Sequence, residues 1–246
     1  MSEDNVVLCD DASESKGVPR PMGEAARLGH LVLLRHGQTK WSDSGQYTGR
    51  TDLPLGREGR QQAVQSGKRL REAFPGGFDA SCIFVSPLLR ARQTAQLAGF
   101  GEFQVLDDLA EWDYGRAEGH TEQEIGAALG RPWNVWRHGA EAVPADMGVD
   151  WVERLETGEQ IPVRHTSGER LEDVAARTRR AVSKVAPMVL AGSDVLLVAH
   201  AHVLRVLATQ WLGVDPCAGS LFRIDTAHYA VLGYYKSEPV VERWNA

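Results

Sequence analysis

The most regular pattern in the chain is a set of short aliphatic runs, each of which stops at polar residues. Residues 31–34 and 195–199 are uninterrupted aliphatic runs. Such runs predict strands buried on both faces, which is typical of a parallel sheet. Residues 83–85 predict a third strand, and Val105–Leu106 a short fourth one. Closing strands are predicted over Leu221–Asp225, Ala230–Tyr234 and Val240–Arg243.

Apolar residues between these runs recur at helical spacing and predict helices over 57–73 and 169–190. Thr166 and Glu169 have capping-box spacing ahead of the second of these helices. Two further helices are predicted, one from Ser86–Pro87, since proline suits a first turn, and one from His200 to about Leu212. Strands that alternate with helices predict an α/β fold with a mostly parallel sheet.

Domain organisation follows from the same pattern. The first 28 residues show no periodicity, and we expect a flexible arm over 1–28 ahead of one domain over 29–246. No apolar run reaches the roughly 18 residues that span a bilayer. The acidic N-terminus lacks the basic start of a secretory signal.

Composition and net charge exclude some classes of binding partner and of structural framework. The 246 residues carry a net charge of −6, which argues against nucleic acid or an anionic membrane as the partner. Cys9, Cys82 and Cys217 are odd in number and widely spaced, which excludes a disulfide framework or a zinc pattern and predicts a cytoplasmic protein. A homo-oligomer is compatible with the sequence.

Two of the predicted strands are each followed directly by a histidine. The first stops at Arg35-His36-Gly37 and the other at Ala199, directly before His200. Ligand sites in open α/β sheets lie beyond the carboxyl ends of such strands, so we expect both histidines at one edge. An arginine can bind a phosphoryl group there while an imidazole attacks phosphorus. Gly37 would let the backbone approach a ligand closely.

A third predicted strand ends at Ser86-Pro87 and opens a helix that carries Arg90 in its first turn. The arginine charge and the helix dipole both favour an anion at that place. Proton transfer also needs a carboxylate, and Glu111 is the candidate. His200 and His202 could alternatively form a metal pair, but no carboxylate motif accompanies them, so no metal and no cofactor are expected.

These segments resemble the histidine phosphatase, or phosphoglycerate mutase-like, superfamily. The segments RHGQT, TDLPL, GRQQA, SPLLRARQTA, EWDYG and AHAHVLR match in order and spacing over about Leu31 to Tyr235. The segments WSDSGQYTG and RPWNVWR are most similar to the sedoheptulose-1,7-bisphosphatase branch and its small acid phosphatase relatives. The resemblance implies a three-layer sandwich with a mostly parallel central sheet between helices.

The resemblance also implies roles for individual residues. His36 would be the nucleophile that forms a phosphohistidine, and Glu111 would move the proton. Arg35, Arg90 and His200 would hold the phosphoryl oxygens. Contacts to the rest of the substrate are expected from Gln38, Thr39, Trp41, Tyr47, Thr48, Tyr114, Arg137, Ala201 and His202. Ala201 stands where relatives usually have glycine, and its methyl group would crowd the phosphate.

We therefore predict a metal-independent phosphomonoesterase for a small sugar phosphate or bisphosphate, with sedoheptulose 1,7-bisphosphate favoured by the branch resemblance. Three alternatives stay open, namely a broad-specificity acid phosphatase, a phosphoglycerate mutase and a non-catalytic phosphoester-binding regulator. The branch lacks most of residues 140–165, an acidic insert that contains Trp151. This insert is either a lid over the site or a surface excursion without a role.

Overall fold

The computed structural model describes residues 18–19 and 28–246. The strands in this part of the chain are β1 (Leu31–Arg35), β2 (Ile83–Val85), β3 (Gln104–Val105), β4 (Trp151–Arg154), β5 (Gln160–Val163), β6 (Val195–Ala199), β7 (Tyr229–Tyr235) and β8 (Glu238–Arg243). The main sheet has the order β3-β2-β6-β1-β7-β8. The first four of these are parallel to one another, and β7 and β8 close one edge in the antiparallel sense. The predicted α/β class with a mostly parallel sheet is confirmed.

Helices cover both faces of this sheet. They are α1 (Lys40–Ser44), α2 (Arg57–Ala73), α3 (Leu89–Leu97), α4 (Glu122–Leu129), α5 (Val135–His138), α6 (Leu171–Leu190) and α7 (Ala201–Leu212). Short 3-10 helices lie at Ala80–Cys82, Asp107–Leu109, Gly115–Ala117, Ala145–Met147 and Pro216–Leu221.

The aliphatic run of β1 explains the three layers. Leu31 and Leu33 pack in the core cluster that contains α6 and α7, whereas Val32 and Leu34 pack in the cluster that contains α2 and α3. Successive strand side chains point to opposite faces, so a strand with helices on both sides must be apolar at every position. β6 follows the same rule, since all five of its residues are buried.

The register of the parallel strands sets the position of the site. Arg35 is paired with Ala199, so His36 and His200 follow at the same edge of the sheet. Val85 of β2 is paired with Val198, which brings Ser86 to that edge as well. The predicted convergence of the strand ends is confirmed.

Two predicted helix boundaries and one predicted strand are wrong. The α3 helix begins at Leu89 rather than at Ser86–Pro87, because Leu88 is extended and Asp52 accepts the amide of Leu89 at 2.6 Å. The predicted strand over Leu221–Asp225 is not formed, since the 3-10 helix Pro216–Leu221 runs into that segment.

The α6 boundary was also predicted wrongly. Thr166 and Glu169 cannot form its capping box, because Gly168 between them has a φ of +79°, outside the helical region. The helix begins at Leu171, and Oδ2 of Asp173 accepts the amide of Arg170 at 3.0 Å instead.

Gly37 is required for a reason that differs from the predicted one. A Cβ at this position would overlap the backbone carbonyl of Gly59 in α2. The close approach is therefore between two backbones, and it packs the first turn after β1 against α2. The amide of Gly37 donates to Thr94 Oγ1 at 3.0 Å, which ties the same turn to α3.

The insert over 140–165 contains the 3-10 helix Ala145–Met147 and an antiparallel hairpin of β4 and β5. Most of the predicted arm over 1–28 lies outside the described residues. Of its described part, Val18 is buried against the core, and the carbonyl of Pro19 accepts the Tyr234 hydroxyl at 2.9 Å. Among the residues described, none of the helices combines the length and apolar character needed to cross a bilayer.

Candidate active site

A cavity of about 260 Å³ opens at the carboxyl edge of the sheet. Eight of the predicted site residues line it, namely Arg35, His36, Tyr47, Thr48, Glu111, Tyr114, Ala201 and His202. Ser42, Gly45, Gln46 and Glu122 line it too and were not predicted. Arg90 and His200 are fully buried and do not line it; they lie behind His36.

His36 is held in one tautomer. Its Nδ1 is 2.7 Å from the carbonyl oxygen of Gly37, and a carbonyl only accepts, so Nδ1 carries the proton. Burial lowers the pKa of His36 well below 6.5, and the positive charges of Arg90 and Arg35 lower it further. The ring is therefore neutral, with the lone pair on Nε2. Nε2 makes no hydrogen bond with a described residue, and the side chain is only 4% exposed.

Arg35 offers an unused donor beside that ring. Its Nη1 donates to the carbonyl of Ile224 at 2.8 Å, which anchors the guanidinium to the segment before β7. Its Nε is buried and has no partner among the described residues. A buried N–H without an acceptor is costly, and an anion in the cavity would satisfy it.

His200 lies directly behind His36, with the two ring centroids 5.0 Å apart. Arg90 donates from Nε to Nδ1 of His200 at 3.1 Å, so the proton of the neutral ring is on Nε2, which donates to Ser86 Oγ at 2.7 Å. Burial, with the Arg90 charge, lowers the pKa of His200 well below 6.5. Both ring nitrogens are thus occupied within the protein, and His200 orients Arg90. The four residues Arg35, His36, Arg90 and His200 are called the basic end below.

Arg90 and Glu118 together order the loop over 48–51. Arg90 donates to the carbonyls of Thr48, Gly49 and Thr51, each at 3.0 Å. Glu118 accepts the amides of Gly49 and Thr51 at 2.9 Å and that of Arg50 at 3.3 Å. Burial raises the pKa of Glu118. Glu118 was missed because its partners are backbone groups, and the sequence does not indicate them.

Glu111 reaches the cavity from the segment before α4. Its carboxylate accepts the amides of Trp112 and Val203 at 2.9 Å and that of His202 at 3.1 Å. Two of these amides belong to the first turn of α7, where the helix dipole also favours a carboxylate. Glu111 and His36 therefore face the same cavity, as predicted.

Arg177 holds the segment that carries Glu111. It donates to the carbonyls of Ala110 at 2.6 Å and of Glu111 at 3.1 Å, and Glu169 pairs with it at 2.8 Å. Arg177 was missed, although a signal existed: it interrupts the apolar face of α6 between Val174 and Ala181.

The remaining cavity surface is aromatic and polar. The rings of Tyr47 and Tyr114 are 4.8 Å apart, and Tyr47 stacks on His202 with centroids 6.1 Å apart. The Tyr114 hydroxyl and Nδ1 of His202 share a hydrogen bond. Burial raises the pKa of Tyr114 and lowers that of His202, so both are neutral near pH 7.

Four predicted contact residues lie elsewhere. Gln38 bonds Gln62 and Asp43, and Thr39 is the N-cap of α1. Trp41 is fully buried in a cluster with Leu53, Ile161 and Val163. Arg137 is exposed on α5 and does not line the cavity. The contacts that the resemblance implied for these four residues are therefore wrong for this cavity, since none of them lines it.

One side of the cavity comes from α1 and the turn that follows it. Ser42, Gly45, Gln46 and Tyr47 form this side, which is called the α1 wall below. Glu122 of α4 completes the rim, and its carboxylate makes no hydrogen bond or ion pair with the described residues. Within the described part of the chain, no group of three or more histidine, cysteine, aspartate or glutamate side chains is placed to hold a metal ion.

A comparison with known proteins found a family whose sequence model matches this chain. The sequence model of the histidine phosphatase superfamily (branch 1) matches residues 31–246. Sedoheptulose 1,7-bisphosphatase of Saccharomyces cerevisiae is 33% identical over 207 residues, which cover 74% of this chain and 67% of that one. An acid phosphatase of Mycobacterium tuberculosis is 34% identical over 204 residues, covering 83% and 86%. A solved structure from a Mycobacterium tuberculosis open reading frame superposes with a TM-score of 0.72 at 31% identity, covering 88% and 97%.

Proposed function

The chain belongs to the histidine phosphatase superfamily and is a phosphatase, and from this premise we propose that it hydrolyses a small sugar phosphate through a phosphohistidine on Nε2 of His36. One observation carries the proposal. A neutral imidazole whose Nε2 lone pair is not bonded by any described residue lines the same cavity as Arg35, whose buried Nε has no acceptor among those residues. A nucleophile beside an unsatisfied cationic donor suits a phosphoryl group.

In the first step, the Nε2 lone pair attacks phosphorus and the bond from phosphorus to the ester oxygen breaks. The ester oxygen leaves with the electron pair and takes a proton from Glu111, which releases the alcohol. Arg35 binds the phosphoryl oxygens through its Nε, which has no acceptor in the described part of the chain. Arg90 supplies positive charge from behind His36, and the neutral ring of His200 holds Arg90 in place.

In the second step, water attacks the phosphohistidine. Glu111 accepts a proton from that water, the phosphorus–nitrogen bond breaks, and the electron pair returns to Nε2. Inorganic phosphate then leaves. The carboxylate can alternate between the two roles because it stays in one place, held by amides of α7 and by its own segment.

The substrate is a small molecule in this proposal. A cavity of about 260 Å³ lies near the lower end of small-molecule sites, roughly 300 Å³. Its aromatic and polar lining suits hydroxyl groups and the apolar face of a sugar. Similarity to the yeast enzyme makes sedoheptulose 1,7-bisphosphate the first substrate to examine. Action in the cytoplasm on small phosphorylated molecules, without nucleic acid or membrane as partner, stays a prediction.

A panel of phosphate esters tests the proposal. The protein is incubated with sedoheptulose 1,7-bisphosphate, fructose 1,6-bisphosphate, smaller sugar monophosphates and 3-phosphoglycerate, and both inorganic phosphate and 2-phosphoglycerate are measured. We expect phosphate release from at least one sugar ester by the wild type and none by His36→Ala. Equal rates across all esters would indicate a broad-specificity phosphatase. Formation of 2-phosphoglycerate without phosphate release would contradict the proposal and indicate a mutase.

A further inference from the structure

The hairpin of β4 and β5 does not enter the cavity. No residue of the 140–165 insert is among those that line it. The hairpin instead packs against the outer side of α1, where Ile161 and Val163 are buried with Trp41 and Leu53. This position is behind the α1 wall and not over the cavity mouth, so it suits a support better than a lid.

Trp151 of β4 contacts the backbone that carries the α1 wall. A Cβ at Gly119 would overlap the Trp151 ring, so the ring lies directly on that glycine. The amide of Gly119 donates to the carbonyl of Tyr47 at 2.8 Å, and its carbonyl accepts Nε2 of Gln46 at 2.7 Å. One aromatic ring therefore supports two cavity-lining residues through a single peptide segment.

Glu153 of the same strand holds α1 itself. Its Oε1 pairs with Nζ of Lys40 at 2.6 Å, and its Oε2 accepts Nε1 of Trp41 at 3.2 Å. The Glu153 side chain is only 14% exposed, and such partly buried charged pairs are screened less than surface ones. Trp41 and Trp151 are also in ring contact, with centroids 6.1 Å apart. The α1 helix has five residues, too few for a helix to be stable alone.

The residues of the basic end make no direct hydrogen bond with the hairpin. Arg35 and His36 bond Ile224 and Gly37, and His200 bonds Ser86. Arg90 bonds His200 and the loop over 48–51. None of these partners belongs to residues 140–165. A change in the hairpin therefore acts directly on the α1 wall and at most indirectly on the basic end.

We propose that the β4–β5 hairpin determines substrate specificity from outside the cavity, with Trp151 and Glu153 as positioning residues that fix the α1 wall against the sugar part of the substrate. This inference rests on the proposed function for the identity of the substrate. The fixing of the wall does not depend on it.

The first test compares Trp151→Ala, Trp151→Phe and Glu153→Gln with Val152→Ala. Val152 is the matched control because it lies on the same strand with its side chain 49% exposed. For the best sugar ester, Trp151→Ala is expected to raise KM about tenfold, since displaced positioning groups have effects of this size or larger. The inhibition constant of inorganic phosphate should change less than about twofold, because the basic end stays intact. Trp151→Phe should restore most of the loss, and Val152→Ala should match the wild type.

The second test does not require turnover. Hydrogen exchange of the Gln46 and Tyr47 amides, which donate to the carbonyls of Trp41 and His120, is measured in the same variants. We expect faster exchange at these two amides in Trp151→Ala and Glu153→Gln, with unchanged exchange at Gly37. If no sugar ester is hydrolysed but this pattern appears, the proposed substrate is wrong and the support by the hairpin holds. Unchanged exchange and unchanged KM in folded Trp151→Ala would overturn the inference, as would an equal loss in KM and in phosphate affinity.

Discussion

The two ends of the cavity are built in different ways. The basic end lies on the central sheet, where His36 and His200 follow paired strand residues and their rings bond groups at the same edge. The α1 wall lies on a five-residue helix and a turn, supported by side chains from distant parts of the chain, Trp151 among them. In the account proposed above, the sheet determines which reaction takes place, and the surrounding segments determine which molecule reacts.

Loss of Arg35 is expected to have the largest effect. Arg35→Met should lower kcat/KM by about 10²- to 10³-fold, since it removes the donor that meets the transition-state charge. Steady-state kinetics with p-nitrophenyl phosphate measures this. Arg60→Met is the matched control, because Arg60 is exposed on α2 and does not line the cavity. A loss of kcat/KM below tenfold in Arg35→Met would show that Arg35 does not bind the phosphate.

Glu111→Gln should discriminate between leaving groups. A sugar alcohol needs a proton on departure, so its kcat should fall about 10²-fold or more. Nitrophenolate leaves without a proton, so the rate at which p-nitrophenyl phosphate phosphorylates His36 should fall far less. Burst kinetics with the two esters gives the comparison. Equal losses in the phosphorylation step would remove Glu111 from the acid role.

The strand ends could be predicted from the sequence because an uninterrupted aliphatic run indicates a buried strand. The polar residues at which the run stops mark its end. His36, His200 and Arg35 were found in this way, and the structure places them within one cluster. Trp41 was assigned to the cavity because of its position in a motif near His36. In the structure it packs on the insert, whose fold no local pattern indicated.

Buried charges that bind backbone were harder to predict. Glu118 and Arg177 bond amides and carbonyls of segments far from them in sequence. Such partners have no residue type to recognise, and only the tertiary structure identifies them. Glu122 was missed because no helix was predicted over Glu122–Leu129, and only the tertiary structure brings that helix to the rim of the cavity.

The pH dependence of kcat/KM should show that the pKa of His36 is lower than that of an ordinary histidine. Burial and the charges of Arg90 and Arg35 lower the pKa of His36, so Nε2 keeps its lone pair below pH 6.5. The acid limb of kcat/KM for p-nitrophenyl phosphate should therefore lie below pH 6.5, after correction for ionisation of the ester. In Arg35→Met, NMR titration of the His36 ring should show a higher pKa, because one repelling charge is gone. An unchanged or lower pKa would contradict this electrostatic account.

The smallest effect is expected for a change of Glu122 at the rim of the cavity. Glu122→Gln removes a negative charge from the cavity rim and should lower KM for a bisphosphate about threefold, as expected for charges several ångströms apart in water. KM for the matching monophosphate should change less. Glu102→Gln, in the exposed loop before β3, serves as the control for net charge. Identical changes for both esters would show that Glu122 does not sense a second phosphate.

The central claim is that Nε2 of His36 becomes covalently bonded to phosphorus. Rapid acid-free quenching of the protein with a ³²P-labelled sugar ester, followed by peptide mapping, tests it directly. We predict a base-stable, acid-labile label on His36, bonded through Nε2 and chased by unlabelled substrate, with no label in His36→Ala. A label on another residue, or turnover with no label at any time after mixing, would contradict it.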